Sequence, residues 1–209
     1  MTENITVNAQ SSIRIAAGKV VYFDPFKISD AANNADVIFI THEHFDHFSP
    51  DDIAKVVSDK TVFAVPASME KTMLDSGISP DKLVLLDPNV KTEVCGIPVE
   101  TVPAYNPGKK FHPKSNNWLG YIVTIGGQRI YVAGDTDATP EAKAVSCDIA
   151  MVPIGGTFTM DFREAAEFIN ELKPKTVIPT HYGSVVGDPG DGESFKRLVE
   201  GSIEVVFKL

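Results

Sequence analysis

Three of the five histidines in this 209-residue sequence lie within six positions of one another, in residues 41–47, which read THEHFDH. Neutral imidazole and carboxylate groups are the ligands that zinc, iron and manganese take up, and cysteine is not required. In an extended chain His42, His44 and Asp46 would share one face. A turn could then direct His42 and His44 at one ion and Asp46 and His47 at a neighbouring one. The segment therefore predicts a metal site rather than a solvated polar loop.

Two further polar residues follow apolar strands later in the chain. Asp135 comes directly after Ile130-Tyr131-Val132-Ala133-Gly134, and His181 comes directly after Val177-Ile178-Pro179-Thr180. Either residue alone could be a turn or cap residue. Sites in α/β proteins collect at the ends of strands, however, so we expect both to join the histidine cluster.

The elements that must position these residues are mostly short, β-branched strands separated by turn residues. Strands are predicted over 13–15, 19–23, 37–41, 61–65, 83–86, 91–94, 98–102, 119–125, 129–133, 148–153, 176–179 and 203–207. Helices are predicted over 67–75, 161–172 and 194–200, and the second has the clearest signals, with Asp161 as its cap and Glu164 completing a capping box. Strands with interleaved helices predict an α/β protein with two packed sheets and helices outside. No linker divides the chain, so a single domain is expected over 1–209.

Composition and charge limit the kinds of binding partner that we expect. The chain is 43% hydrophobic and 22% charged, and its net charge of −9 makes a nucleic-acid partner unexpected. Its two cysteines, Cys95 and Cys147, are far apart and predict no disulfide framework. No apolar run of 18 residues and no signal-like start are visible, so we expect a cytoplasmic protein without a membrane partner. The sequence is compatible with a homo-oligomer, but nothing in it fixes the oligomeric state.

Three motifs together resemble the metallo-β-lactamase superfamily: Thr-His-x-His-x-Asp-His at 41–47, Gly-Asp-Thr at 134–136 and Thr-His at 180–181. The closer resemblance is to its small stand-alone hydrolases, related to the ascorbate-phosphate lactonases and the N-acyl-phosphatidylethanolamine phospholipases. It implies a four-layer αββα sandwich of two mixed β-sheets with helices outside. It also implies two divalent metal ions, with zinc expected and manganese or iron as alternatives. In that arrangement His42 and His44 hold the first ion, Asp135 bridges, and the second ion is held by Asp46, His47 and His181.

One position departs from the family pattern. These enzymes usually supply a third histidine to the first metal ion from the strand before the Gly-Asp motif, and here Asn106 stands at that place. An amide oxygen is a weaker donor than imidazole, so a looser first site is expected. The remaining histidine, His112, has three interpretations: a replacement ligand, a residue that acts on the substrate, or an ordinary loop histidine.

The function that follows is metal-dependent hydrolysis of an ester, lactone or phosphodiester bond in a small molecule by an activated water. Asp46 is the candidate to orient that water and accept its proton. Lys109, Lys110 and Lys114, with Asn106, are candidates to bind an anionic substrate, unless the lysines form only a solvated loop. A mononuclear iron dioxygenase and a non-catalytic metal-binding protein are the alternatives.

Overall fold

Thirteen strands and five helices alternate along the chain in the computed structural model, which describes residues 1–209. The strands are β1 Ile5–Val7, β2 Ile13–Ala17, β3 Lys19–Phe23, β4 Val37–Phe39, β5 Val62–Pro66, β6 Leu83–Leu86, β7 Lys91–Val94, β8 Ile97–Pro103, β9 Leu119–Ile125, β10 Gln128–Val132, β11 Ile149–Pro153, β12 Thr176–Thr180 and β13 Glu204–Val205. The helices are α1 Pro50–Val56, α2 Glu70–Asp75, α3 Pro140–Lys143, α4 Phe162–Leu172 and α5 Asp191–Leu198.

The strands form two mixed sheets. The first sheet has the order β1-β2-β3-β4-β5-β6, with β1 to β3 antiparallel and β3 to β6 parallel. The second has the order β13-β12-β11-β10-β9-β8-β7, with β7 to β10 antiparallel and β10 to β13 parallel. In each sheet the parallel strands end on one edge, which is where α/β proteins place their sites.

Alternating residues of the central strands face two different hydrophobic cores. Val21 and Phe23 of β3 lie in the core between the sheets, whereas Tyr22 faces a second core shared with α1 and α2. In β10, Ile130 and Val132 face the core between the sheets, and Tyr131 faces a third core shared with α4 and α5. A strand buried on both faces requires apolar residues at every position, which explains the continuous apolar runs in the sequence.

The helices cover the outer faces of the two sheets. Asp161 caps α4 by accepting hydrogen bonds from the backbone N–H groups of Arg163 and Glu164 at 2.8 and 2.9 Å, and the Glu164 side chain returns one to the Asp161 backbone N–H. Four residues of α4 pack against the second sheet: Ala165, Ala166, Phe168 and Ile169. Because α1 and α2 pack against the first sheet, the expected four-layer αββα sandwich is confirmed.

Some short elements were not predicted from sequence. Helices α1 and α3 and strand β1 have seven, four and three residues, too few for a clear hydrophobic period. The last helix begins earlier than predicted, at Asp191, and the last strand is only Glu204–Val205. The longest helix, α4, has 11 residues, and no helix combines the length and apolar character that a bilayer crossing demands.

Candidate metal centre

The histidine-rich segment leaves the first sheet at the end of β4 and crosses towards the second. The backbone carbonyl of Thr41 accepts a hydrogen bond from the Leu119 N–H of β9 at 3.1 Å. The chain then turns, because the carbonyl of His44 accepts from the N–H groups of His47 and Phe48 at 2.9 and 2.8 Å. This turn separates the first two histidines from Asp46 and His47, as the sequence spacing suggested.

His42, His44 and His112 form one group of potential metal ligands. The Nδ1 atom of His44 lies 3.1 Å from His42 Nε2 and 3.2 Å from His112 Nε2. The indole ring of buried Trp118 packs beside all three imidazoles, with ring centroids 4.8 to 5.6 Å apart. His112 is buried and lies within this group, which favours the interpretation of a replacement ligand over that of an ordinary loop histidine.

Asp46, His47 and His181 form a second group beside the first. Asp46 Oδ2 lies 3.2 Å from His181 Nε2 and 3.7 Å from His47 Nε2. The imidazoles of His47 and His181 stack with their centroids 5.3 Å apart. His181 follows β12, so this group joins residues from both sheets.

Asp135 lies between the two groups. Its Oδ1 is 3.3 Å from His47 Nε2, and its Oδ2 is 3.4 Å from the Nε2 atoms of both His112 and His181. The preceding residue, Gly134, has a φ of +66°, and a side chain there would approach Thr41 and the Leu119 carbonyl within 3.2 Å. Glycine is therefore needed to carry the chain from β10 into the centre of the cluster.

Two buried atoms of the cluster fit a bound cation. His47 Nε2 and Asp135 Oδ1 are buried, face each other at 3.3 Å and make no hydrogen bond. Buried polar atoms are normally hydrogen-bonded, so such a pair calls for an explanation. A metal ion satisfies both, and the histidine and carboxylate donors suit zinc.

The electrostatics also favour metal binding. Burial lowers the pKa values of His42 and His44 and lowers that of His112 to about 4, so these imidazoles are neutral and have free lone pairs near pH 7. Burial alone would raise the pKa of Asp135, but the neighbouring histidines His181 and His47 hold it well below its usual value. Burial opposes a proton on His47, yet the carboxylates of Asp135 and Asp24 raise its pKa well above the usual value. Positive charge is thus favoured at the centre of the cluster.

Asp24 is a functional residue that sequence reasoning missed. It follows β3 with a φ of +45° and is completely buried. Its Oδ2 accepts hydrogen bonds from His47 Nδ1 at 2.7 Å and from the Thr41 hydroxyl at 2.6 Å, and its Oδ1 accepts from the Thr41 N–H at 2.8 Å. A carboxylate on Nδ1 orients the ring and leaves Nε2 to face a metal ion. The available signal was an acidic residue at the end of an apolar strand.

The proposed substrate-binding residues lie elsewhere. The Asn106 side chain donates to Asp137 Oδ1 at 2.7 Å, and Lys109 Nζ pairs with the same oxygen at 2.8 Å. Lys114 Nζ pairs with Glu141 at 2.6 Å, and Lys110 is exposed. None of the four lines the cavity beside the cluster, because local acids hold Asn106, Lys109 and Lys114 away from it. The structure thus corrects the placement of an anion-binding loop, and Asn106 is not among the grouped ligands.

That cavity has a volume of about 300 Å³. Five potential ligands line it, together with five apolar residues: His44, Asp46, His112, Asp135, His181, Phe45, Phe111, Phe158, Val185 and Val186. A small molecule entering the cavity therefore meets both groups of ligands.

Comparison with known proteins agrees with this geometry. Residues 4–181 match the family described as the beta-lactamase superfamily domain. The UPF0173 metal-dependent hydrolase of Thermococcus onnurineus is 32% identical over 210 aligned residues, covering 94% of this chain and 92% of its own. That of Aeropyrum pernix is 30% identical, with 88% and 84% covered.

Solved structures share the fold. A crystal structure from Parabacteroides distasonis superposes with a TM-score of 0.81 at 31% identity, over 98% of this chain and 92% of that one. Igni18, a metallo hydrolase of Ignicoccus hospitalis, superposes with a TM-score of 0.79 at 20% identity, over 97% and 93%, which shows the fold alone. With the ligand groups in place and the family match spanning most of its length, the chain belongs to the metallo-β-lactamase superfamily, in the stand-alone branch of the UPF0173 metal-dependent hydrolases.

Proposed function

We propose that this protein holds two divalent metal ions, zinc in the first instance, and hydrolyses an ester, lactone or phosphodiester bond of a small molecule. The observation that carries the proposal is that the two ligand groups meet at Asp135 and open onto one cavity. His42, His44 and His112 would hold the first ion, Asp46, His47 and His181 the second, and Asp135 would lie between them. When bound, the ions lower the pKa of a water molecule towards neutrality and polarise the bond to be cleaved.

The side chains of the cluster have distinct tasks in this reaction. Asp46 lines the cavity, and although burial opposes it, the hydrogen bond from His181 and the charge of His47 keep its pKa below the usual value. It is therefore a carboxylate that can orient the attacking water and accept its proton. Asp24 fixes the ring of His47, and Trp118 packs against the first three imidazoles, so the ligands are held in place before substrate arrives.

The potential ligands lie on both sides of Asp135, and this spread favours a dinuclear hydrolase over a mononuclear iron dioxygenase, which needs only one set of ligands. The test is elemental analysis of protein purified without chelator, combined with turnover of a panel of phosphodiesters, lactones, esters and thioesters. We expect about two metal equivalents per chain and turnover of one bond class. One equivalent of iron with oxygen consumption, or bound metal without turnover, would contradict the proposal.

A further inference from the structure

The cavity beside the ligand cluster is lined by apolar side chains as well as by potential ligands. Half of the cavity lining consists of Phe45, Phe111, Phe158, Val185 and Val186, called the apolar wall below. Three of its side chains are far more exposed than such residues normally are: Phe45 at 66%, Phe111 at 49% and Val185 at 40%. Exposed apolar side chains gathered around a cavity mark a binding surface.

The apolar wall comes from the same segments that supply the ligands. Phe45 stands between His44 and Asp46, Phe111 precedes His112, and Val185 follows His181 by four residues. The wall is also partly ordered, since Phe111 packs edge-to-face on Phe158 with centroids 4.8 Å apart and Phe45 packs against Phe26 at 6.0 Å. A molecule in the cavity therefore lies against this wall as well as against the metal ligands.

The cavity lining contains no lysine or arginine. Lys109 and Lys114 are paired with acids outside it. The cation at the rim is Lys27, whose Nζ donates to the Ser184 hydroxyl at 2.6 Å, next to Val185, and which is not part of the lining. The lining therefore offers no side-chain cation to an anionic substrate, and the bound ions would offset the carboxylates of Asp46 and Asp135.

We propose that the substrate is an uncharged ester or lactone carrying an alkyl or aryl group that packs against the apolar wall. This inference rests on the proposed hydrolase function and narrows its substrate class. One water is consumed: its oxygen bonds to the acyl carbon, the acyl C–O bond breaks, and the water proton passes to the departing alkoxide. An ester gives a carboxylic acid and an alcohol, and a lactone gives a hydroxy acid.

Binding tests the apolar wall without requiring turnover. Heptan-2-one is an uncharged ester analogue that cannot be hydrolysed, and its dissociation constant can be measured by saturation-transfer NMR beside those of propanone and the anion 4-oxopentanoate. Each buried methylene is worth about a fourfold gain in affinity. We expect heptan-2-one to bind at least about tenfold more tightly than propanone and 4-oxopentanoate.

Matched variants locate this binding. Phe111→Ala and Phe158→Ala should each weaken heptan-2-one at least about threefold, about the effect of one lost methylene. Leu74→Ala removes an apolar side chain exposed to 39% on α2, outside the cavity, and should change nothing. Val185→Lys places a cation at the wall and should shift the preference towards 4-oxopentanoate.

Kinetics complete the test with p-nitrophenyl esters from acetate to hexanoate and an anionic ester, the p-nitrophenyl monoester of succinate. We expect kcat/KM to rise with chain length and to be lowest for the anionic ester. Turnover independent of chain length and unaffected by Phe111→Ala would overturn the apolar wall and leave the hydrolase. Binding of heptan-2-one, sensitive to Phe111→Ala, with no turnover of any panel substrate would overturn the hydrolase and leave the apolar site. Stronger turnover of the anionic ester would overturn the uncharged substrate.

Discussion

The centre of the cluster depends on a carboxylate that never reaches the cavity. Asp24 is fully buried and holds both the His47 ring and the Thr41 hydroxyl, so it sets the orientation of two parts of the histidine-rich segment at once. His47 Nδ1 donates to Asp24, so Nε2 is the ring nitrogen that faces Asp135, and a metal ion bound there would take the place of its proton. The orientation of one histidine ring is thus fixed by a residue that follows a neighbouring strand.

Asp24→Asn should weaken metal binding about 10- to 100-fold, the usual cost of losing such a partner. The amide has a single acceptor oxygen, so its NH2 group must face either the Thr41 N–H or the two donors at the Oδ2 position, His47 Nδ1 and the Thr41 hydroxyl, and the His47 ring is held less firmly. A competition titration with a chromophoric zinc chelator measures the change.

Asp52→Asn is the matched control for this variant. Asp52 is also a buried carboxylate that accepts backbone hydrogen bonds, from Lys27 and Ile28 at 2.9 and 3.0 Å, but it does not contact the cluster. It should lower stability and leave zinc affinity unchanged. An Asp24→Asn protein with normal zinc affinity would show that His47 needs no such partner.

His112→Ala should leave about one metal equivalent per chain instead of two. The variant removes one of the three imidazoles of the first group, and affinity at the first site should fall more than about 100-fold, beyond the cost of an outer partner. Elemental analysis after dialysis against a zinc buffer measures the stoichiometry. Asn106→Ala and Lys110→Ala, in the same loop, should keep both equivalents. Full loading of His112→Ala would mean that His112 serves the substrate instead.

At the residue scale, the motifs predicted the potential ligands that lie within them and left open the role of His112, which lies outside them. Six consecutive residues contain His42, His44, Asp46 and His47, so spacing alone suggested a shared site. His112 lies in a loop, where no period tells which way a side chain points, and its role stayed open until the fold placed it 3.2 Å from His44. The predicted placement of the lysines was wrong for a related reason, because their acidic partners are distant in sequence. Asp137 is 28 residues from Lys109, and Glu141 is 27 residues from Lys114.

Among the elements, the central strands were the most predictable because both of their faces are buried. Consecutive apolar residues such as 130–133 cannot be satisfied on the surface, so their position and extent followed from the sequence. Helix α1 was missed because only Ile53 and Val56 of its seven residues are buried and apolar. Its start nevertheless carried a usable signal, with Pro50 at the first turn followed by two aspartates.

The element that holds His181 is the turn after β12, and its geometry is tightly constrained. His181 has a φ of +57°, a conformation that few residues other than glycine adopt. Its N–H donates to the Gln10 carbonyl at 3.0 Å, and Gly155 approaches it from the turn after β11. A Cβ atom on Gly155 would overlap the His181 carbonyl oxygen and lie 2.9 Å from the Val186 side chain.

Gly155→Ala should therefore displace His181, lower the free energy of unfolding by about 1–3 kcal/mol and weaken the second metal site. Thermal denaturation and zinc titration report the two effects separately. Gly190→Ala is the control, since a Cβ at the start of α5 meets nothing within 4 Å. A Gly155→Ala protein with unchanged melting and zinc affinity would show that the turn can move without cost.

For the whole molecule, the cluster connects the two halves of the sandwich. The segment 41–47 belongs to the first sheet, whereas His112, Asp135 and His181 follow strands β8, β10 and β12 of the second. Two hydrogen bonds also join the two halves directly. The Tyr121 hydroxyl donates to the Ile40 carbonyl at 2.7 Å, and the Leu119 N–H donates to the Thr41 carbonyl. Each sheet is antiparallel at one end and parallel at the other, and the parallel strands β3, β4, β10 and β12 all end at the site.

Removal of the metal ions should therefore destabilise the whole protein. Unfolding separates the two sheets and disperses the ligands, so each ion that binds only the folded chain adds to its stability by mass action, about 4 kcal/mol at a free concentration 1,000 times the dissociation constant. For a chain of this length that corresponds to a fall in melting temperature of about 8–16 °C for each ion that the chelator removes. Differential scanning calorimetry of zinc-loaded protein, chelated protein and chelated protein given zinc again measures the effect, and the third sample should recover the first melting temperature.

His112→Ala, which keeps one site, should show a smaller fall. An unchanged melting temperature in chelated protein that elemental analysis shows to be metal-free would mean that the hydrogen bonds between the sheets suffice without the ions.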